Sequence, residues 1–188
     1  MKTRNFLMTA FFAVTLFATT ATFAQKGKTV TVGGALMYPS KNIIENAVKS
    51  KDHTTLVAAV KAAGLVETLE GKGPFTVFAP TNEAFNKLPK GTVETLLKPE
   101  NKKMLQNILT YHVVAGKMSS SDIAKAIKAG KGKAALKTVS GGILTATMKG
   151  KSLYLTDENG KSAKVTIANV NQSNGVIHVI NAVVTPKA

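Results

Sequence analysis

The sequence predicts an α+β fold in which helices come first and antiparallel strands come last. Between Asn42 and Leu109, outside residues 75–79, the apolar residues recur every three or four positions, as they do along one face of a helix. After Gly132 they recur at every second position, as they do along one face of a strand. Because the two patterns occupy separate parts of the chain, we expect an antiparallel sheet with helices beside it rather than alternating βαβ units.

The N-terminal stretch predicts an exported protein. Lys2 and Arg4 precede an apolar run over residues 6–18, and small residues follow up to Ala24. This order is typical of a secretory signal peptide that is cleaved after Ala24. The apolar run is shorter than the roughly 20 residues of a membrane-spanning helix. We therefore expect residues 1–24 to be a signal peptide and the remaining protein to be secreted or periplasmic, without a membrane span.

The remaining 164 residues match a single domain in size. Residues 25–41 are polar and contain Gly33, Gly34 and Pro39, so we expect them to form a flexible lead-in. The folded domain is then expected over residues 42–187.

Two short helices are expected at the start of this domain. Residues 43–48 place apolar side chains at helical spacing. Thr54 or Thr55 is suited to cap a second helix, because a threonine hydroxyl can accept a hydrogen bond from the first helical turn. Gly64 is expected to end that helix, since glycine readily adopts the left-handed backbone of a helix end.

A strand that turns sharply into a helix is expected next. Residues 75–79 are aromatic or β-branched and follow a turn cluster at residues 71–74, which predicts a strand. Pro80 ends this strand. Thr81 can then cap a short helix in which Phe85 faces inward.

The later elements are expected from the same signals. Residues 110–114 predict a short strand, and Ser119 with Asp122 resembles a capping box for a helix that ends at Gly130. Further helices are expected at residues 92–97 and 104–109, and further strands at residues 134–139, 143–148, 152–156, 164–170 and 175–184.

Composition and charge exclude several classes of function. The chain has no cysteine, which excludes thiol nucleophiles and cysteine metal sites. Without residues 1–24 it has 23 lysines and 10 acidic residues, a net charge of +13, and no arginine, because Arg4 is the only one. Lysine lacks the planar fork that recognises a phosphate or a guanine with two bonds, so we expect no specific nucleic-acid recognition. A solvated lysine surface that weakly attracts anionic surfaces is expected instead.

Neither the histidines nor the acids form a catalytic or metal-binding pattern. His53 lies in a polar turn and is expected to be solvated. His112 and His178 lie in apolar runs and could meet to share a metal, but a buried imidazole is usually neutral and bonded to the backbone. Asp157 and Glu158 occupy a turn that we expect to be exposed. We therefore expect no catalytic residue, no metal and no other cofactor.

Two segments resemble the signature segments of fasciclin domains. The first reads Phe-Thr-Val-Phe-Ala-Pro-Thr-Asn-Glu-Ala-Phe from Phe75 to Phe85, the second runs from Asn174 to Pro186, and Tyr111 with His112 matches the Tyr-His pair between them. The resemblance extends over about residues 42–186. The signature residues that carry it are Phe75, Thr76, Val77, Phe78, Ala79, Pro80, Thr81, Asn82, Phe85, Asn174, Gly175, Val176, Ile177, His178 and Ile180.

The resemblance implies a fasciclin-like wedge of two small β-sheets with several helices packed around one edge. Both signature segments are expected to be neighbouring central strands in the interior. His112 and His178 are expected to hold these segments together by hydrogen bonds.

The resemblance also implies a secreted adhesion or matrix-interaction module without catalytic activity. Its expected partners are cell-surface or matrix components, protein or polysaccharide, with weak self-association. In animal relatives the Tyr-His segment is implicated in integrin binding, and the matching adhesion surface here would comprise Leu109, Tyr111, His112 and Val113. The alternative is a periplasmic or extracellular binder of an apolar small molecule or an anionic polysaccharide. A small-molecule binder needs a concave apolar pocket of several hundred Å³, roughly 300 or more, whereas adhesion can use a flat surface.

Overall fold

The computed structural model describes residues 28–187, and the predicted signal peptide lies outside this range. Within the range most helices precede most strands, and the α+β prediction is confirmed. The helices are α1 (Ile43–Ala47), α2 (Thr54–Ala63), α3 (Val66–Glu70), α4 (Asn82–Asn86), α5 (Thr92–Leu96), α6 (Lys102–Tyr111) and α7 (Ser120–Ala129). The strands are β1 (Val30–Val32), β2 (Ala35–Met37), β3 (Phe75–Pro80), β4 (Val113–Ala115), β5 (Lys133–Lys137), β6 (Ile143–Lys149), β7 (Ser152–Thr156), β8 (Ser162–Gln172) and β9 (Gly175–Ile180).

The main sheet has seven strands in the order β4-β3-β9-β8-β7-β6-β5. Its two halves share the long strand β8, whose first residues pair with β7 and whose later residues pair with β9. The partner changes between Lys164 and Val165, and two register shifts between Val165 and Val170 then interrupt the pairing with β9. The two small sheets implied by the resemblance are thus two halves of one hydrogen-bonded sheet. We call β4, β3 and β9 the first sheet half, and β7, β6 and β5 the second sheet half.

The central pair of the first sheet half is parallel. Strand β3 runs beside β9 in six residue pairs, from Phe75 beside Gly175 to Pro80 beside Ile180. The prediction of an entirely antiparallel sheet is therefore wrong at this pair. Parallel neighbours need a long connection, and residues 81–174 supply it.

Strands β3 and β9 are buried on both faces because the core lies on either side of them. On one face, Val77 and Ile177 belong to a cluster formed with helices α1 to α6. On the other face, Phe78 and Ile180 belong to a cluster formed with α7 and the second sheet half. Neighbouring residues of one strand therefore stabilise different halves of the domain, as expected for a strand covered on both sides.

The expected flexible lead-in is wrong for residues 30–37, which form the β1–β2 hairpin. Gly33 and Gly34 both have positive φ angles, +57° and +75°, and make the two-residue turn that joins the strands. Val32 and Met37 are 1% exposed and belong to the core. The glycines that suggested flexibility instead permit a tight turn, because they adopt a backbone that other residues rarely reach.

The capping predictions are mostly confirmed. Thr81 caps α4, Gly64 ends α2 in the left-handed conformation, and Ser119 with Asp122 forms a capping box at α7. The prediction that Thr54 or Thr55 caps α2 is wrong, because neither residue occupies the cap position. None of the described helices is long and apolar enough to span a membrane.

Two predicted boundaries shift by several residues. Residues 110–111 continue α6 instead of beginning a strand, so that β4 starts at Val113. Strand β9 ends at Ile180, and residues 181–184 follow it without strand pairing. Helix α3 was not predicted.

Candidate functional site

The two signature segments lie side by side in the interior as β3 and β9. Hydrogen bonds close both ends of the pair: the Phe75 N–H donates to the Asn174 carbonyl at 3.0 Å, and the Thr81 N–H donates to the Ile180 carbonyl at 3.3 Å. Gly175 is required at this contact because a Cβ there would lie 2.1 Å from the Phe75 carbonyl oxygen. The junction of the segments is therefore a closed, packed structure.

The side chain of Asn174 joins the second segment to two helices. Its Oδ1 accepts from the Ile43 N–H at the start of α1, at 3.1 Å. Its Nδ2 donates to the carbonyls of Leu69 and Gly71 at the end of α3, at 2.7 and 2.9 Å. This buried amide thus uses three bonds to position helices that lie far from it in sequence.

The side chain of Asn82 joins the first segment to the start of α2. Its Oδ1 accepts from the Thr55 N–H at 3.0 Å and from the Thr54 hydroxyl at 3.2 Å. Its Nδ2 donates to the Lys51 carbonyl at 2.8 Å. Asn82 therefore takes the capping role that the sequence suggested for the threonines themselves.

The remaining signature residues are structural. The Thr76 hydroxyl donates to the Gly116 carbonyl at 2.6 Å and accepts from the Met118 N–H at 2.9 Å. The Thr81 hydroxyl accepts from the Ala84 N–H at 3.3 Å. The signature residues that pack in the buried interior are Val77, Phe78, Ala79, Pro80, Phe85, Val176, Ile177 and Ile180.

His112 joins the end of α6 to the chain after β9. Its Nδ1 contacts the Ile108 carbonyl at 2.8 Å, so this nitrogen carries the proton, and its Nε2 accepts from the Val184 N–H at 3.3 Å. Burial lowers the pKa of His112 to about 4. The imidazole is therefore neutral at physiological pH and both of its nitrogens are bonded to the backbone.

His178 joins β9 to the loop before α7. Its Nε2 donates to the Met118 carbonyl at 2.9 Å, and its Nδ1 accepts from the Asn169 N–H at 3.3 Å. Its ring stacks on Phe78 with 5.6 Å between the centroids. Burial lowers the pKa of His178 below its ordinary value.

The two histidines do not share a ligand. Each imidazole uses both nitrogens for separate backbone partners, so neither offers a lone pair to a metal. Within residues 28–187, no three histidine, aspartate or glutamate side chains are grouped closely enough to hold a metal ion. Both imidazoles join elements of the fold by hydrogen bonds, but neither ring hydrogen-bonds to the first signature segment as predicted; His178 meets that segment by stacking on Phe78.

The four residues predicted to form an adhesion surface are buried. Leu109, Tyr111, His112 and Val113 are between 0% and 6% exposed. The Tyr111 hydroxyl donates to the Ile143 carbonyl at 2.7 Å, and burial raises the pKa of Tyr111 to about 12. These side chains are core residues and cannot themselves form a surface in the folded protein. A role for this segment in adhesion stays a prediction.

His53 was predicted to be solvated, and this prediction is wrong. The ring is 2% exposed, and Nδ1 lies 2.9 Å from the Ser50 hydroxyl. Among the described residues, its Nε2 is the one buried side-chain nitrogen or oxygen without a hydrogen-bond partner. Burial lowers the pKa of His53, and the nearby Ala79 carbonyl only partly opposes this effect.

His53 lines an apolar cavity between the helices and the first sheet half. The cavity has a volume of about 80 Å³, and its walls include Ile43, Val60, Val77 and Leu109. Ligand pockets usually measure about 300 Å³ or more. The cavity is therefore too small for the apolar small molecule of the alternative hypothesis.

Asp157 was predicted to be exposed in a turn, but it is 6% exposed. Its carboxylate accepts from the N–H groups of Asn159 at 3.0 Å, Lys161 at 2.8 Å and Thr185 at 2.9 Å. Asp157 thus holds the β7–β8 turn to the C-terminal segment. Glu158 is exposed, as predicted, and accepts from the Ile143 N–H at 3.2 Å.

The second sheet half has one uncovered face. Alternate residues of β5 to β7 are buried beneath α7, and the residues between them point outward. The strand register aligns the outward side chains in rows across β5, β6, β7 and the start of β8. We call the outward side chains the open face; they are Lys133, Ala135, Lys137, Ile143, Thr145, Thr147, Lys149, Ser152, Tyr154, Thr156, Ser162 and Lys164.

Sequence reasoning did not identify the open face as a candidate site. The signal was the two-residue period after Gly132, where lysine, threonine and serine alternate with apolar residues. The same period that predicts the strands also predicts this outward row of polar residues. Asn46 was also missed: it is buried and bonds to Tyr38 and Gln172.

Comparison with known proteins relates the chain to one family. The fasciclin domain model matches residues 51–186. Protein sll1483 of Synechocystis is 45% identical over 163 residues, which cover 85% of this chain and 81% of that protein. Transforming growth factor-beta-induced protein ig-h3 of Sus scrofa is 36% identical over 154 residues, which cover 81% of this chain but only 20% of that protein.

A solved structure has the same fold. The FAS1 domain pair of the insect cell adhesion molecule fasciclin I matches with a TM-score of 0.68 over 81% of this chain and 56% of that chain. The two sequences are 17% identical, so this likeness concerns the fold alone.

Proposed function

The chain belongs to the fasciclin domain family, and on this premise we propose that it is a secreted or periplasmic adhesion module. It binds cell-surface or matrix components through its exterior, associates weakly with itself, and catalyses no reaction. The fasciclin I relative is a cell adhesion molecule by its description, and the two proteins have the same fold.

The observation that carries this proposal is the bonding of the polar signature residues within the domain. Asn174, Thr76, His112 and His178 bond to backbone groups, mostly from distant parts of the chain. Buried and fully bonded groups have no capacity left for a substrate. The signature segments therefore serve as a scaffold, and partners meet the exterior.

The exterior is rich in unpaired positive charge. Within residues 28–187 a single ion pair occurs, between Lys125 and Asp122 at 4.0 Å, and both side chains are at least half exposed. The other lysines are available for long-range attraction of anionic surfaces, such as cell envelopes and extracellular polymers. This exposed positive charge supports binding of a partner at the surface more than binding of a ligand in a pocket.

The small-molecule alternative loses support from the size of the apolar cavity. Its other form, the binding of an anionic polysaccharide, needs no cavity and is compatible with adhesion to a matrix.

A retention assay tests the proposal. Fragments of cell envelope and extracellular polymer from the producing organism are passed over beads coated with the purified protein, and the retained material is measured. The control is the same protein with its lysines acetylated, which removes the charge and leaves the core in place. We expect retention of the untreated protein, with a loss at high salt, because added ions screen exposed charges. Retention of neither sample would contradict the proposal, and equal retention of both at low salt would exclude the lysine charge as the cause of adhesion.

A further inference from the structure

We propose that the open face binds an acidic polysaccharide, whose anionic groups contact its lysines and whose hydroxyls contact its threonines and serines. This inference rests on the proposed adhesion function and identifies the partner class and the surface.

The first argument is the charge of the open face. It carries Lys133, Lys137, Lys149 and Lys164, and none of its residues is acidic. It belongs to residues 112–187, which have 11 lysines and 3 acidic residues, a net charge of +8. A surface with one sign of charge raises the local concentration of oppositely charged partners.

The second argument is the spacing of the lysines. Lys133 on β5 and Lys164 on β8 lie in the same row, because both align through Thr147 and Tyr154. Three strand spacings separate them by about 14 Å. Lys149 lies on β6 between these strands. An extended polyanion that crosses the strands would therefore meet positive charges in succession.

The third argument is that one of these charges is already positioned. The Lys149 ammonium lies over the Tyr154 ring, 5.0 Å from its centroid. A cation–π contact of this kind limits the conformations of a long side chain. Less side-chain entropy is then lost when a partner binds.

The fourth argument selects a saccharide among anionic polymers. Thr145, Thr147, Thr156 and Ser162 place hydroxyls between the lysines, and these can exchange hydrogen bonds with the hydroxyls of a sugar. A nucleic acid is less well matched, because there is no arginine in residues 28–187 and the face of Tyr154 is occupied by Lys149.

A groove on the side of the sheet that α7 covers meets the open face at the β6–β7 turn, and a bound chain can continue into it around this turn. It lies between the β6–β7 turn, β8 and the start of α7, has a volume of about 550 Å³, and shares Ser152 and Lys164 with the open face. Lys151 and Ser120 add another cation and another hydroxyl to its walls.

The test measures binding of the protein to polygalacturonate, a polymer of acidic sugars, by titration calorimetry. The variant Lys133→Gln, Lys149→Gln, Lys164→Gln is compared with a control variant, Lys72→Gln, Lys90→Gln, Lys98→Gln, whose exposed lysines lie outside the second sheet half. Both variants lose three positive charges. We expect the first to lose about tenfold or more in affinity and the control to lose about threefold or less, because close charges contribute more than distant ones. Equal losses would overturn the inference.

Two further comparisons separate the saccharide from other polymers. Thr145→Val with Thr147→Val keeps the charge and the shape of the face, so it should weaken polygalacturonate binding and leave the binding of inorganic polyphosphate unchanged. Binding of a single-stranded polynucleotide that equals or exceeds that of polygalacturonate would overturn the saccharide assignment. If the open-face lysine variant is still retained by the cell envelope like the unmodified protein, the inference fails while the adhesion proposal stands.

Discussion

The two sequence halves of the molecule carry the same number of lysines but use their surfaces differently. Residues 28–111 have 11 lysines and 7 acidic residues, and their helices α1 to α6 cover one side of the first sheet half. Residues 112–187 have 11 lysines and 3 acidic residues, and they include the second sheet half, which α7 covers on one face while the other face stays open. Residues 28–111 therefore offset most of their positive charge and have a net charge of +4, whereas residues 112–187 have a net charge of +8 and leave a flat cationic face uncovered.

The difference shows how one fold can separate stability from recognition. Strands β3 and β9 lie between the two clusters of core residues and therefore hold the two clusters together. The open face lies at the other end of the sheet, where outward residues contribute little to the core. Substitutions at the junction should therefore affect folding, and substitutions on the open face should affect binding.

The largest loss of stability is expected from substitutions in β3 and β9, which lie between the two clusters of core residues. Phe78→Ala should lower the free energy of unfolding by about 4 kcal/mol, because it removes a fully buried ring that stacks on His178. Ile180→Ala should lower the free energy of unfolding by about 3 kcal/mol, because the Ile180 side chain is also fully buried. Urea denaturation measures both. Ile143→Ala, at a position that is 44% exposed, is the control and should change stability by less than about 1 kcal/mol. A Phe78→Ala protein as stable as the control would show that the junction is not the core.

Acid is expected to weaken the same junction. Burial lowers the pKa of His112 to about 4 in the folded protein, against an ordinary value of 6.5. Between these values the unfolded chain binds more protons than the folded one, so the free energy of unfolding falls as the pH falls. His112 alone should contribute on the order of 3 kcal/mol to this loss. His178 and His53, whose pKa values burial also lowers, should add to it.

Urea denaturation at several pH values across this range measures the effect. His112→Gln, which cannot titrate here, should show a smaller loss than the unmodified protein. An identical pH dependence in the two proteins would exclude His112 as a cause.

A smaller effect is expected when the imidazole of His112 is removed at neutral pH. His112→Ala leaves the Val184 N–H without its partner and should cost about 2 kcal/mol. For a domain of this size, that corresponds to a decrease of about 4–8 °C in melting temperature. Calorimetry measures it, with Met104→Ala, a 58% exposed position of the same helix, as the control. A melting temperature equal to that of the control would refute the structural role of His112.

The smallest effect concerns the helix that covers the second sheet half. Ser119→Ala removes the hydroxyl that accepts from the Asp122 N–H and should cost about 1 kcal/mol. Lys128→Ala, at an exposed position later in α7, should stay within about 0.5 kcal/mol of the unmodified protein. If the two variants are equally stable, the capping box does not contribute to the stability of this half.

Local signals in the sequence were sufficient for several of these features. The strand at Phe75, the cap at Thr81 and the capping box at Ser119 each depend on residues within a few positions of one another. The family was also identifiable, because its motifs occur in order along the chain. The pairing of β3 with β9 agrees with the expectation that the signature segments are neighbours, but the parallel direction was not predicted.

The sequence by itself determined the α+β class, the family and the alternation that creates an outward polar face, because these follow from residue spacing. The tertiary structure decided which polar residues are buried. His53 and Asp157 lie among polar neighbours in sequence, yet their side chains turn inward to Ser50 and Thr185. The physical reason is that the burial of a polar group depends on partners that satisfy its hydrogen bonds, and such partners can be far away in the chain, as Asn174 and Ile43 are.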